Sequence, residues 1–311
     1  MTAFLESIFT ESMLVAVFRM ATPLMFIAMA ACIGRKANIS SIAYEGMALA
    51  AALAGALGSH YTNSLGLGAL CGIAAGMLIA IIFAYFVLYL DTSPMLIGLA
   101  LNSLGNYGTI YMLYLLTGRK SDSSTLVSQS FPTIQIEALK DVPIIGRLLN
   151  ESNVLTYVAI LATIVIYILI YKTPFGLKLR SVGESPAAAT SVGINVKRTQ
   201  FIVMLISGFL ASFGGMFMSM AYLPYFTKNM LSGRGFIGIA ACNLASGHPI
   251  GAFFCTLLFG AADAVANVAQ TFRMPAQFAS MMPYVATIIG LCVTGYRTTH
   301  QKVKKNKETK A

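Results

Sequence analysis

A chain of 311 residues that is 57% apolar and 10% charged cannot build a water-soluble surface, which takes about a quarter charged residues. The net charge of +10 does not point to nucleic acid. The basic residues gather in short loops between apolar runs, the pattern of a membrane protein with its positive loops on one side. The expected fold class is an all-α integral membrane protein of about eight to ten transmembrane helices, one of them short or broken, each full span needing about twenty mostly apolar residues.

The first twelve residues hold Glu6 and Glu11 and no Lys or Arg. A cleavable secretory signal begins with a basic region, so the first apolar run, Met13 to Gly34, reads as an uncleaved span. The turn Arg35-Lys36-Ala37-Asn38 leads to a short alanine-rich run, Ile42 to Gly58, and then to Leu65–Leu90. Asp91-Thr92-Ser93-Pro94 breaks the chain before the fourth run, Met95 to Thr117. A polar stretch, 118–152, precedes the fifth run, Asn153 to Tyr171. A second polar stretch, 172–199, precedes the sixth, Gln200 to Tyr222. A loop with Pro224, Lys228 and Arg234 enters a short run, Phe236 to Gly247, which Gly247-His248-Pro249 ends. Ile250 to Gln270 and Ser280 to Tyr296 follow, then the basic tail 297–311.

Charge sets the expected orientation of this single transmembrane domain, 1–311. The tail carries Arg297, Lys302, Lys304, Lys305, Lys307 and Lys310, and the 172–199 stretch carries Lys172, Lys178, Arg180, Lys197 and Arg198. These and Arg35-Lys36 are expected in the cytoplasm. The 118–152 stretch mixes Arg119, Lys120, Lys140 and Arg147 with Asp122, Glu137, Asp141 and Glu151, which suits the outside. The assignments agree only if Phe236–Gly247 reaches across the membrane, with about nine crossings and an outside start. Its twelve residues make about 18 Å of helix, so a broken helix buried among its neighbours is expected there. With no Trp, the belt at the membrane surfaces falls to Tyr85, Tyr89, Tyr111, Tyr114, Tyr171, Tyr222 and Tyr296 near the run ends.

Small residues recur every fourth position: Gly68, Gly72 and Gly76; Ala48, Ala52 and Ala56; Ser207, Ala211 and Gly215. Close backbone approach holds helices together in lipid, here either within one chain or between subunits. Polar side chains inside the runs are few. Asn102 and Asn106 lie one turn apart, Asp263 and Asn267 likewise, and Asn243 stands in the short run. Such groups line a polar translocation path or bond helix to helix; both readings stay open. Arg19 reads as a side chain reaching outward to the membrane surface. Cys32, Cys71, Cys242, Cys255 and Cys292 lie in apolar runs without a CxxC pair and read as packing residues.

Neither GxxxxGK[ST], HExxH nor GxSxG occurs. His60, His248 and His300 stand far apart, so neither a metal nor a catalytic site is expected, and no cofactor on this chain. Energy from ATP would have to come through another polypeptide.

The most specific segment is 173–195, TPFGLKLRSVGESPAAATSVGIN. It reads as a turn, a basic amphipathic stretch and a small helix, with Ser185 as N-cap, Pro186 at the first helical position and Gly193 as the stop. With ISGFLASFGGMFMSM after it, GRGFIGIAACNLASGHPIGAFFCTLLFGAADAV at 233–265 and the start at 21–57, it resembles the membrane subunits of bacterial ABC importers for simple sugars and nucleosides. These are related to the branched-chain amino acid permeases. The length and Glu45-Gly46-Met47 look most like the nucleoside-type permeases that work with a lipoprotein receptor.

The resemblance implies a multi-pass plasma-membrane protein partnered by an ATP-binding cassette ATPase, a second permease subunit and an extracytoplasmic solute-binding lipoprotein. It implies that Gly183, Glu184, Ser185, Pro186, Ala187 and Gly193 belong to the ATPase-coupling segment. Ile42, Ala43 and Ala241–Leu244 depart from the family pattern, which bears on the solute and not on the family. The alternative function is an ion-coupled secondary transporter. That needs matched broken helices in an inverted repeat, and only one broken segment is visible. A membrane-embedded enzyme would need paired acid-base groups, which Asp263 alone does not supply.

Overall fold

The computed structural model describes residues 11–133 and 152–271, with four further positions, 281, 285, 288 and 290. The expected last run therefore lies largely, and the tail 297–311 wholly, outside the described residues.

The described chain is a helical bundle, and no strand occurs among its residues. The helices are α1 (Glu11–Lys36), α2 (Tyr44–Thr62), α3 (Leu65–Tyr89), α4 (Pro94–Thr117), α5 (Val154–Lys172), α6 (Pro174–Glu184), α7 (Pro186–Ser191), α8 (Val196–Phe217), α9 (Arg234–Leu244) and α10 (Pro249–Thr271). A π-helical turn, Met218–Tyr222, prolongs α8. Among the described residues, five segments are long and apolar enough to cross a membrane: Met13–Lys36, Leu65–Tyr89, Val154–Lys172, Val196–Tyr222 and Pro249–Gln270.

α1 runs through the middle, packed by α5, α8, α9 and α10. Its stretch 20–34 is buried throughout, and an apolar stretch can sit there because every surface it meets is protein. Two hydroxyls converge on one of its carbonyls: Tyr44 of α2 and Ser207 of α8 both donate to Ala30 O, at 3.1 and 2.9 Å. Thr22 donates to Thr156 of α5 at 3.0 Å.

The small-residue stripes face one another inside this chain. Gly68 abuts Ser59, Gly72 abuts the Ala51 carbonyl, Gly76 abuts Ser212, and Gly215 abuts the Ala48 carbonyl. This locks α2, α3 and α8 at backbone contact. Among the described residues, α4 leans on α2 and touches α3 only lightly.

The bundle has two distinct ends. At one, Lys36 O meets Gly183 of α6, and Gly247 lies on Arg35 and Lys36. At the other, residues 118–133 cross the ends of α2, α5 and α8. Ser123 N–H donates to Phe226 O there and Ser123 Oγ accepts from Phe226 N–H, His60 meets Val127 O, and the Asn153 amide donates to Phe131 O. Residues 134–151 lie outside the described residues.

Candidate translocation site and coupling segment

The short run expected at Phe236–Gly247 is α9, and it begins two residues earlier, at Arg234. Gly233 caps it with φ +82°. Asn229 and Ser232 also take left-handed conformations, at φ 52° and 46°, folding the preceding loop inward so that Phe226 and Leu231 are buried. At its far end the Arg35 guanidinium donates to Asn243 Oδ1. The eight positions from Gly235 to Asn243 are about 12 Å of helix. The start of α9 is therefore well inside the bundle, about that far from the Arg35 end.

A charged cluster meets that start. Glu45, only 7% exposed, accepts the Gly233 N–H at 2.8 Å, and the Gly235 N–H also faces it. Arg234 pairs with Asp263 of α10 at 3.2 Å. Glu45 Oε2 and Arg234 Nε are buried and have no hydrogen-bond partner among the described residues. Directly beside the cluster, Asn102 of α4 accepts from Gly46 N, the residue after Glu45, and donates to Ile42 O, both at 2.8 Å.

Of the five polar residues singled out in the sequence, the structure brings Asp263 into this cluster and sets Asn102 beside it. Asn243 lies at the other end of α9. Asn267 points its amide at Met20 Sδ, 3.6 Å away. Asn106 is half-buried on the shoulder of α4 and gives only its carbonyl, to Thr109. Sequence reasoning left out Glu45 and put Arg234 in a loop. Arg19, exposed, lies 5.6 Å from the Tyr222 ring.

α4 differs from the other exposed helices. It has no charged residue, yet it is too polar to join the five candidate spans. Ser103, Tyr107 and Tyr114, spaced four and then seven residues apart, share its outward face, and Tyr107 is 71% exposed. The outward faces of α3 and α5 show Leu70, Leu78, Leu161, Ile164 and Ile168 at comparable positions. A deep cleft between α2, α3 and α4, about 510 Å³ in volume, is lined almost wholly by apolar groups, among them Ala50, Ala75, Leu104 and Met112.

At the Arg35 end, α6 and α7 form a compact knob. Ser185 Oγ accepts the Ala188 N–H and starts α7 with Pro186 in its first turn. Gly193, at φ +81°, ends it, and Ile194 N reaches Ala189 O. Glu184 to Ala188 are exposed. The Arg180 guanidinium lies 5.4 Å from the Tyr171 ring, and Tyr171 is 5.4 Å from His248 at the α9–α10 turn. Among the described residues no group of three His, Cys, Asp or Glu side chains could hold a metal ion.

Apolar helices around a buried charged cluster, with an exposed helical knob at one end, define a membrane-embedded transport subunit. The chain belongs to the permease family described as branched-chain amino acid transport system / permease component, which it matches over residues 13–291. It is thus a multi-pass membrane protein and the translocating subunit of an ABC importer. Permeases of this family generally work with an ATPase and a binding protein. The guanosine ABC transporter permease protein NupQ of Bacillus subtilis is 30% identical over 287 residues, 89% of each chain. The nucleoside ABC transporter permease protein NupC of Lactococcus lactis is 28% identical over 88% of each. A putative glucose ABC transporter permease protein of Haloferax volcanii, TsgC13, is 28% identical over 93% of each. Among solved structures, PsaBC from Streptococcus pneumoniae in complex with Fab shares the fold, with a TM-score of 0.54 and 15% identity over 94% of this chain and 95% of that one.

Proposed function

We propose that this chain forms one wall of the import path for a nucleoside, and that ATP is hydrolysed on a separate subunit seated on α6 and α7. The outward face of α4 carries the proposal. Ser103 and Tyr107 present hydroxyls at bilayer depth, where lipid offers them no partner. A wall of water or of another protein does. One polar stripe cannot enclose a solute, so a second permease subunit, a copy or a paralogue, supplies the facing wall.

The Arg35 end, with 172–199 and the tail 297–311, is the cytoplasmic one, where its basic residues belong. Residues 118–152 then face outside, toward the solute-binding lipoprotein. The cluster of Glu45, Arg234 and Asp263 fixes the broken helix α9. A push on α6 reaches α9 through two contacts, Gly183 on Lys36 and Arg35 on Asn243. The nucleoside assignment rests on the similarity to NupQ and NupC.

The test is uptake by the full importer, reconstituted with its ATPase and receptor in vesicles. Saturable, ATP-dependent entry of labelled nucleosides is expected, unaffected by ionophores. Entry of simple sugars in place of nucleosides overturns the solute. Entry that needs an ion gradient and no ATP overturns the mechanism in favour of a secondary transporter.

A further inference from the structure

We propose that Tyr107 is a stacking platform for the nucleobase of the passing solute, an inference that rests on the reading of α4 as a wall of the path. Tyr107 lies thirteen residues after Pro94 and ten before Thr117, about 20 and 15 Å along the helix. That is the middle of the bilayer and not the surface belt where tyrosines ordinarily sit.

Four of the other tyrosines, though not Tyr111 one turn further along α4, show what a belt position looks like here. Tyr89 has the Lys197 amine 5.6 Å from its ring, Tyr114 has Lys120 at 5.0 Å, and Tyr171 and Tyr222 have Arg180 and Arg19 at 5.4 and 5.6 Å. Tyr85 and Tyr89 also stack on each other, 5.7 Å apart. Among the described residues the Tyr107 ring has no cation or aromatic partner, and its hydroxyl has no hydrogen bond. An unpaired hydroxyl at that depth is costly in lipid, and with a bare aromatic face beside it suits a planar, polar-edged solute.

The neighbours fit the same ligand. Ser103 stands one turn below on the stripe, its hydroxyl without a hydrogen bond among the described residues. Asn106, beside it, has a carboxamide with no hydrogen bond among the described residues. A nucleobase lying on the ring would find donors and acceptors for its edge or for the ribose. Stacking is tolerant of base identity because every base has a π-face, which suits a path that must release what it holds.

The experiment uses the full importer in vesicles, with surface expression and ATPase activity measured for each variant. Tyr107→Leu is expected to lower nucleoside import about tenfold, the scale of losing one base–aromatic stack. Tyr107→Phe and Tyr107→Trp should stay within about threefold of wild type. Equal losses in all three would mean that Tyr107 packs against the neighbouring subunit, and would overturn the platform.

A second readout does not depend on how the Leu variant folds. Ser103→Cys, in a background with the native cysteines replaced, should react with a charged, water-borne thiol reagent. Nucleoside should protect it and ribose alone should not. No reaction at position 103 sinks the reading of α4 as a path wall, and the platform with it. Reaction without selective protection, or normal import by Tyr107→Leu, sinks the platform alone.

Discussion

The Glu45 carboxylate, in the first turn of α2, accepts the N–H of Gly233, the residue that caps α9, at 2.8 Å. Two helix N-termini converge on one carboxylate, each carrying about half a positive charge. That explains how an acidic group is held at this depth. It also explains the glycine at 235, whose backbone lies against Glu45 and leaves no room for a Cβ. Glu45 works as a latch that holds the broken helix onto α2.

Removing the latch should loosen the bundle. Glu45→Ala strands the Gly233 N–H, and a lost bond to a buried charged group costs about 1.5–3 kcal/mol. Glu45→Gln keeps an acceptor oxygen and gives up the charge, so a smaller loss is expected. Thermal unfolding in detergent should rank wild type above Glu45→Gln and that above Glu45→Ala. Equal midpoints for all three would show that Glu45 holds nothing.

Two glycines one turn apart on α4 should behave oppositely. A Cβ on Gly105 would overlap the backbone of Gly46, whereas one on Gly108 meets only the Leu104 side chain at 3.7 Å. Gly105→Ala must push α4 off α2 and pull Asn102 from Gly46 N, at about 1–3 kcal/mol or more. Gly108→Ala should be neutral or slightly stabilising, because alanine is the better helix former. Unfolding midpoints of the two variants, measured side by side, decide it; a tolerated Gly105→Ala would contradict the packing.

How far this site was legible depends on whether its contacts are local. α3 could be bounded from sequence because Ser64 caps it and the Asp91-Thr92-Ser93-Pro94 break ends its apolar run. α7 announces itself by Ser185-Pro186 and Gly193, which act within a few residues. Glu45 was visible as the one acidic residue between Glu11 and Asp91, but its partner is a backbone N–H 188 positions away, and no periodicity records that. Arg234 follows a glycine in a polar stretch, so hydropathy sends it to a loop. Its pairing with Asp263, 29 positions on, is a contact that hydropathy does not record. Tyr107 was passed over because it lies in the middle of its run, away from the run ends where a tyrosine belt is sought.

Acid should act on the loop that carries Asp122 in a narrow window. Asp122 accepts from the hydroxyls of Ser124 and Ser121 and from the Ser124 N–H, and these bonds hold its carboxyl down at about 2. A depressed carboxylate stabilises the fold above its ordinary value of about 3.9, and that contribution is lost as pH falls toward the folded value. The stability difference between wild type and Asp122→Asn should be constant above about pH 5 and shrink as pH falls from about 4 to 2. Unfolding midpoints of the pair across pH measure it. A difference that instead changes between pH 5 and 8 would mean another group governs this loop.

Two neighbouring residues should separate the mechanics of coupling from the contact itself. Gly183 lies against the carbonyl of Lys36, the last residue of α1, with no room for a Cβ. Glu184 is exposed on the knob, the one acidic residue in a stretch that also shows Ser185, Pro186 and Ala187. If an ATPase seats on this knob, Glu184 meets its basic or amide groups, and Gly183 passes the movement to α1 and on through Arg35 to α9. Glu184→Lys should therefore weaken binding of the ATPase, lower its stimulation by solute and leave the isolated permease as stable as wild type, because nothing in the bundle leans on that side chain. Gly183→Ala should do the converse: the ATPase still binds and turns over, the permease loses stability as α6 is wedged off Lys36, and uptake per ATP falls. Co-purification of the ATPase, its hydrolysis rate and solute uptake, measured together for both variants, give the comparison. Normal uptake and normal stimulation in Glu184→Lys would reduce the knob to a connecting loop. Loss of ATPase binding in Gly183→Ala with unchanged permease stability would show that the close contact with α1 carries no force.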